Sequence, residues 1–82
     1  MIYINLEIRV FSGLEKYIPG ATFGRPFSRE VPEKTTGRQL LEHLGIPEEH
    51  VFSILVNGRH RPFDELLCPG DRVALFPPVG GG

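Results

Sequence analysis

With one cysteine, Cys68, in 82 residues, the chain has no internal disulfide framework and suits a reducing compartment. No apolar run approaches the length of a membrane span, and the N-terminus shows no basic-then-apolar export pattern, so a cytoplasmic protein is expected. Charge of one sign is also lacking. Nine Lys and Arg against ten Asp and Glu leave a formal net charge of −1. There is neither the basic excess that nucleic acid attracts nor the acidic block of a solvating tail. A chain this short forms one small domain, burying about 60% of the surface its unfolded form would expose. That supplies a thin core, and too little chain for a catalytic cleft together with a cofactor pocket.

Self-sufficient chemistry is equally scarce. His43, His50 and His60 lie far apart, and none stands at metal-ligand spacing from Cys68, so they read as surface or helix-end residues. Cys68, just before Pro69, is expected to be a small buried filler rather than a reactive thiol. Ser12, Ser28 and Ser53 lack a Gly-x-Ser-x-Gly setting. Glu48-Glu49 and Asp64-Glu65 read as solvated turns, and no glycine loop opens a helix in a phosphate-binding pattern. Arg59, Arg61 and Arg72 are either scattered solubilising charges or a modest basic patch that orients a partner protein.

What the chain does have is punctuation and alternation. Ten Gly and eight Pro make it turn often. Residues 2–11 alternate, with Ile2, Ile4, Leu6, Ile8 and Val10 on one face and Tyr3, Asn5, Glu7, Arg9 and Phe11 on the other, which predicts a strand buried on one side. Residues 12–26 carry Gly13, Pro19, Gly20, Gly24 and Pro26 and form a long connection. Within it Leu14, Tyr17 and Ile18 have the spacing of one helical turn over the core. Residues 27–31 read as a short exposed-edge strand antiparallel to the first. Thr36-Gly37-Arg38-Gln39 has capping-box spacing, Leu40, Leu41 and Leu44 make an apolar stripe, and Gly45 and Pro47 end the helix after about two turns. Residues 51–56 form a third strand with Phe52, Ile54 and Val56 on one face, followed by an Asn57-Gly58 tight turn and a brief return at 59–61. Phe63, Leu66 and Leu67 pack a short turn, and Pro69-Gly70-Asp71 reverses the chain. The last strand, 72–77, places Val73 and Leu75 inward and Phe76 outward, as Phe11 is. One helix on one sheet face, with the other face wet, is a small α+β roll.

That strand runs directly into Pro78-Val79-Gly80-Gly81-Gly82. On composition alone the glycines are either a frayed end or a side-chain-free tail whose carboxylate enters a narrow site, because glycine tolerates approaches closed to other residues. The segment from Pro69 to Val79 with the glycines after it resembles the close of the ubiquitin-like sulfur carriers, most of all the small subunit of molybdopterin synthase. The opening from Val10 to Tyr17, the Leu-rich helix and Val56-Asn57-Gly58 sit where that family has counterparts.

The resemblance implies a β-grasp fold with a mixed four- to five-stranded sheet, comprising a domain at 1–77 and a flexible glycine tail at 78–82. It implies a carrier and not an enzyme. The Gly82 carboxylate would be adenylated by an E1-like adenylyltransferase and, with a sulfur donor, become a thiocarboxylate that serves molybdenum or tungsten pterin synthesis through the molybdopterin synthase large subunit. Gly80 and Gly81 would form the conduit, and Phe11, Phe76, Pro77 and Pro78 the partner-binding surface. ATP and metal would belong to the activating enzyme, with no cofactor, nucleic acid or membrane bound by this chain. Carriers for thiamine, cysteine or another thio-product, a protein-conjugating modifier, and a β-grasp binding module with an incidental tail are the alternatives. Gly80, in place of what is often another small residue, and the Gly- and Pro-bearing 12–26 connection depart from the family pattern.

Overall fold

The computed structural model describes residues 2–22 and 24–78. The first alternating segment is strand β1, Tyr3–Val10, with Ile4, Leu6, Ile8 and Val10 buried. Ile2 precedes the strand and is exposed, so the inward face starts one step later than the alternation suggests. A 3-10 turn at Leu14–Tyr17 buries Leu14, and Ile18 just beyond it is buried as well, which lids one end of the core. Strand β2, Phe27–Pro32, pairs antiparallel with β1 from Ile8↔Phe27 to Tyr3↔Pro32.

Helix α1, Gly37–Leu44, begins with the capping box expected from its sequence. The Gln39 amide N–H donates to Thr36 Oγ1 at 3.2 Å, and the Thr36 N–H donates to Gln39 Oε1 at 3.0 Å. The next two free donors are met by the 62–66 segment, Gly37 N–H by the Glu65 carbonyl and Arg38 N–H by the Phe63 carbonyl at 2.8 Å. Leu40, Leu41 and Leu44 are buried beneath the helix, and Gly45 closes it with a left-handed φ of 75°. Arg38 also binds Glu48 on the following 3-10 turn, Glu48–His50, at 2.7 Å. That hydrogen bond and the carboxylate's charge raise the guanidinium's pKa further above its ordinary value.

Strand β3, Ser53–Val56, turns through Asn57-Gly58, with φ of 54° and 84°, into the short strand β4, Arg59–His60. Both central residues left-handed is the hairpin turn whose twist matches that of the flanking strands. Strand β5, Arg72–Phe76, then enters the middle of the sheet. The order is β2-β1-β5-β3-β4, with β1 and β5 parallel and the other pairs antiparallel. A parallel pair needs a long crossover, and the segment carrying α1 provides it. This is the β-grasp roll.

Besides Ile2, three side chains stand elsewhere than the sequence suggests. The shared face of Phe52, Ile54 and Val56 breaks at Ser53: Val51 is buried, Ile54 and Val56 are buried, and Phe52 is 66% exposed. Val51 caps the 3-10 turn with its N–H on the Glu48 carbonyl and is buried there, so alternation begins only at β3 and does not reach back to Phe52. Leu66 is exposed while Leu67 is buried. Leu67 N–H donates to the Thr35 carbonyl, which turns its side chain inward. Cys68 is exposed, not buried filler: its amide donates to Asp71 Oδ2 at 2.8 Å, holding it in the surface turn beside Gly70.

Candidate functional site

The residues singled out for function gather at the end of β5, on the sheet face opposite α1. In the parallel ladder Val10 is paired with Leu75, so the residues that follow them, Phe11 and Phe76, arrive side by side. Their rings stack with centroids 4.6 Å apart and planes 2° from parallel. Both are half-buried. Pro77 is half-buried and Pro78 exposed, immediately after this pair. The structure therefore brings together four of the residues expected to bind a partner. Gly80, Gly81 and Gly82 lie outside the described residues, as does the expectation that the tail is flexible.

The 12–26 connection braces the aromatic pair from behind. Gly24 donates its N–H to the Val10 carbonyl at 2.9 Å. A Cβ built on Gly24 would stand 3.2 Å from Phe11 Cε1, at a backbone φ of 67°. Phe11 thus packs between Phe76 and the loop, a placement that alternation alone leaves open. The glycine is visible in the sequence; its neighbour is not, because the contact depends on where the loop returns.

Across the same face the ladders align side chains in rows. One row is Arg9, Ala74 and Leu55, and the row beneath it joins Glu7 to Arg72 in register, with Asn57 just beyond the end of β3. Ala74 is the smallest of these, and a groove of about 270 Å³ opens over it, lined also by Gly58 and Val73. Asn57 locks the groove's end: its Oδ1 accepts from Arg72 N–H at 3.0 Å and its Nδ2 donates to Asp71 Oδ1 at 3.0 Å. At the other end Phe52, which alternation assigns to the inward face, is held beside the tail root by its N–H on the Phe76 carbonyl at 2.8 Å.

The other candidates separate. Arg61 is paired with Glu65 at 3.3 Å, Arg59 lies on β4 and Arg72 begins β5. His50 Nδ1 is hydrogen-bonded to the Tyr17 hydroxyl, His43 sits in the last turn of α1, and His60 lies on β4. Among the described residues no three His, Cys, Asp or Glu side chains gather to hold a metal, and no helix is long and apolar enough to cross a membrane.

Comparison with known proteins agrees with this geometry. The ThiS family matches residues 20–82. No curated protein matches. Among solved structures, small archaeal modifier protein 1 of Haloferax volcanii superposes with a TM-score of 0.70 at 25% identity, covering 93% of this chain and 99% of its own. A candidate molybdopterin converting factor, subunit 1, from Pyrococcus furiosus gives 0.70 at 27% identity over the same shares, 93% and 99%. Urm1 of Trypanosoma brucei gives 0.66 at 16% identity, covering 100% and 99%, a likeness of fold. With most of its length matched, a β-grasp sheet and a strand that leads from a stacked aromatic pair into terminal glycines, the chain belongs to the ThiS family of ubiquitin-like sulfur carriers.

Proposed function

We propose that this protein is a sulfur carrier for molybdenum or tungsten pterin cofactor synthesis, working through the carboxylate of Gly82. A carboxylate is a poor electrophile. In an E1-like enzyme that holds ATP and its metal, a carboxylate oxygen attacks the α-phosphorus, pyrophosphate leaves, and the product is an acyl adenylate. Hydrosulfide supplied by the donor then adds to the carbonyl carbon, AMP departs with the bonding pair of the acyl–phosphate C–O bond, and loss of the sulfur's proton leaves a thiocarboxylate. The chain contributes the acyl carbon, the reach and the docking surface. Five residues beyond Pro77 span about 16 Å when extended, and Gly81 and Gly82 bring no Cβ into a narrow channel.

The observation that carries this reading is the Phe11–Phe76 stack, set on the outer sheet face directly before Pro77 and Pro78. An apolar pair there is positioned to dock while the tail inserts. The pterin branch is favoured by the Phe76-Pro77-Pro78-Val79 ending and by the likeness to the Pyrococcus furiosus protein. Protein from its native host, grown with ample sulfur, should carry a fraction heavier by the difference between one sulfur and one oxygen atom, located by mass spectrometry at the C-terminal glycine. A wholly unmodified tail would count against the proposal. The likeness to a small archaeal modifier protein favours a second reading, conjugation to lysines of other proteins. That reading requires higher-mass conjugates on a denaturing gel, which a carrier alone would not give.

A further inference from the structure

Strand β2 borders the sheet, and among the described residues no strand lies along its outer edge. The Glu33 N–H donates to the Ile2 carbonyl at 2.9 Å, which sets the parity of the antiparallel β1–β2 ladder. Phe27, Arg29 and Val31 turn their backbone groups toward β1, and Ser28 and Glu30 turn theirs outward. Among the described residues nothing pairs with those outward groups, nor with the side chains of Arg29 and Glu30. The opposite border, β4, is too short to offer a comparable edge. This edge matches itself. Pro26-Phe27-Ser28-Arg29-Glu30-Val31-Pro32 carries the same residue classes from either end, proline, apolar and polar, with Arg29 at the centre. Laid antiparallel about a two-fold axis at Arg29, Ser28 of each copy stands opposite Glu30 of the other, and the pair exchanges both N–H···O=C bonds. The Ser28 hydroxyl then faces the Glu30 carboxylate on the outer sheet face, and Phe27 meets Val31 on the inner. Pro26 falls opposite Pro32, so neither end wastes an N–H, and the Pro32 carbonyl already accepts from the Thr35 hydroxyl at 2.5 Å. The prolines keep the pairing from spreading. Moving the axis to Glu30 would set two carboxylates face to face, and moving it to Ser28 would carry the pairing off the strand.

We propose that β2 pairs with β2 of a second copy of this chain, in the register centred on Arg29, so that one sheet continues across the two-fold axis. The cost lies at the axis, where Arg29 meets Arg29 of the second copy. Like charges directly opposite are destabilising, and salt screens them. One strand pair also buries well under the ~1,600 Å² of a standard interface, so the dimer is weak and reversible. Strand β1 separates β2 from β5, and pairing therefore leaves the root of the tail uncovered in both copies.

The test is sedimentation equilibrium of the full-length protein up to ~1 mM, at low and high salt, with amide hydrogen exchange followed by NMR at the same concentrations. A reversible dimer should form, tighter at high salt, and the Ser28 and Glu30 amides should exchange more slowly as concentration rises. Arg29→Gln should tighten the dimer up to about fivefold and remove its salt response. Glu30→Pro deletes an outward N–H without touching the β1 ladder, so it should leave only monomer, with a melting curve near that of wild type. If that variant does not fold, the Arg29→Gln shift and the two amides decide the question. A wild-type protein that stays monomeric throughout would overturn the proposal. So would a dimer in which the Ser28 and Glu30 amides keep the monomer's exchange rate, one that Arg29→Gln weakens, or one that a folded Glu30→Pro variant still forms.

Discussion

Phe76 and Phe11 combine a structural contact with a proposed docking role, and substitution can separate the two. As a stacked pair they stabilise the end of the β1–β5 ladder, and a pair of this kind is worth about 0.5–1.5 kcal/mol beyond its buried area. Urea denaturation of Phe11→Ala, Phe76→Ala and the double variant should give a coupling energy in that range; additive losses would mean that the stack contributes nothing of its own. Phe76→Asp should weaken binding to the activating enzyme far more than it lowers stability, and a collapsed fold would make Phe76 a core residue instead. Gly24 is the less obvious member of the group. Its left-handed backbone and the 3.2 Å approach to Phe11 make Gly24→Ala destabilising by about 1–2 kcal/mol. The signature would be a shifted Phe11 ring resonance in the NMR spectrum.

At the scale of elements, α1 is short enough that its ends decide whether it forms. Thr36→Ala removes the hydroxyl from the capping box and should cost about 1 kcal/mol, read as a lower urea midpoint at unchanged slope. The Arg38–Glu48 pair, by contrast, is half-exposed on both sides, so Arg38→Gln should lower the urea midpoint less than Thr36→Ala does. Helix start, stripe and stop are legible in the sequence because each signal is local and the three agree. Alternation likewise places Phe11 and Phe76 outward. It does not reveal that they meet, since that follows from the parallel register of strands about 60 residues apart. Phe52 falls on the wrong side for a related reason. A period of two does not extend backwards across a 3-10 turn, where the backbone no longer alternates. Residue type alone makes Cys68 a filler, whereas the Asp71 side chain, by capping its amide, keeps it in a surface turn.

For the whole molecule, fold and tail chemistry should be independent. The buried hydrophobic core runs from Ile4 to Leu75, so deleting Gly81 and Gly82 should leave the melting temperature within about 2 °C of wild type. The same deletion should abolish ATP-dependent activation, measured as pyrophosphate exchange. Retained exchange would sink the carboxylate argument, and a collapsed melting curve would make the tail structural. The family and its terminal glycines are readable from the sequence because one short motif carries them. The groove is not, since Arg9, Ala74 and Leu55 come from three strands and become neighbours only in the folded sheet.

The central parallel pair has a mechanical consequence. The strand that holds the tail, β5, lies between β1 and β3 and runs alongside β1 in the same direction. Tension on the tail, as when an enzyme grips it and the body is drawn away, acts along β5 and across the ladders on both its sides. Such a load shears many hydrogen bonds at once, whereas pulling on an edge hairpin would peel them one by one. The root of the tail thus lies on the central strand of the sheet, and a pull on it should unfold the domain at a higher force than a pull on the β3–β4 hairpin, as single-molecule force spectroscopy would read.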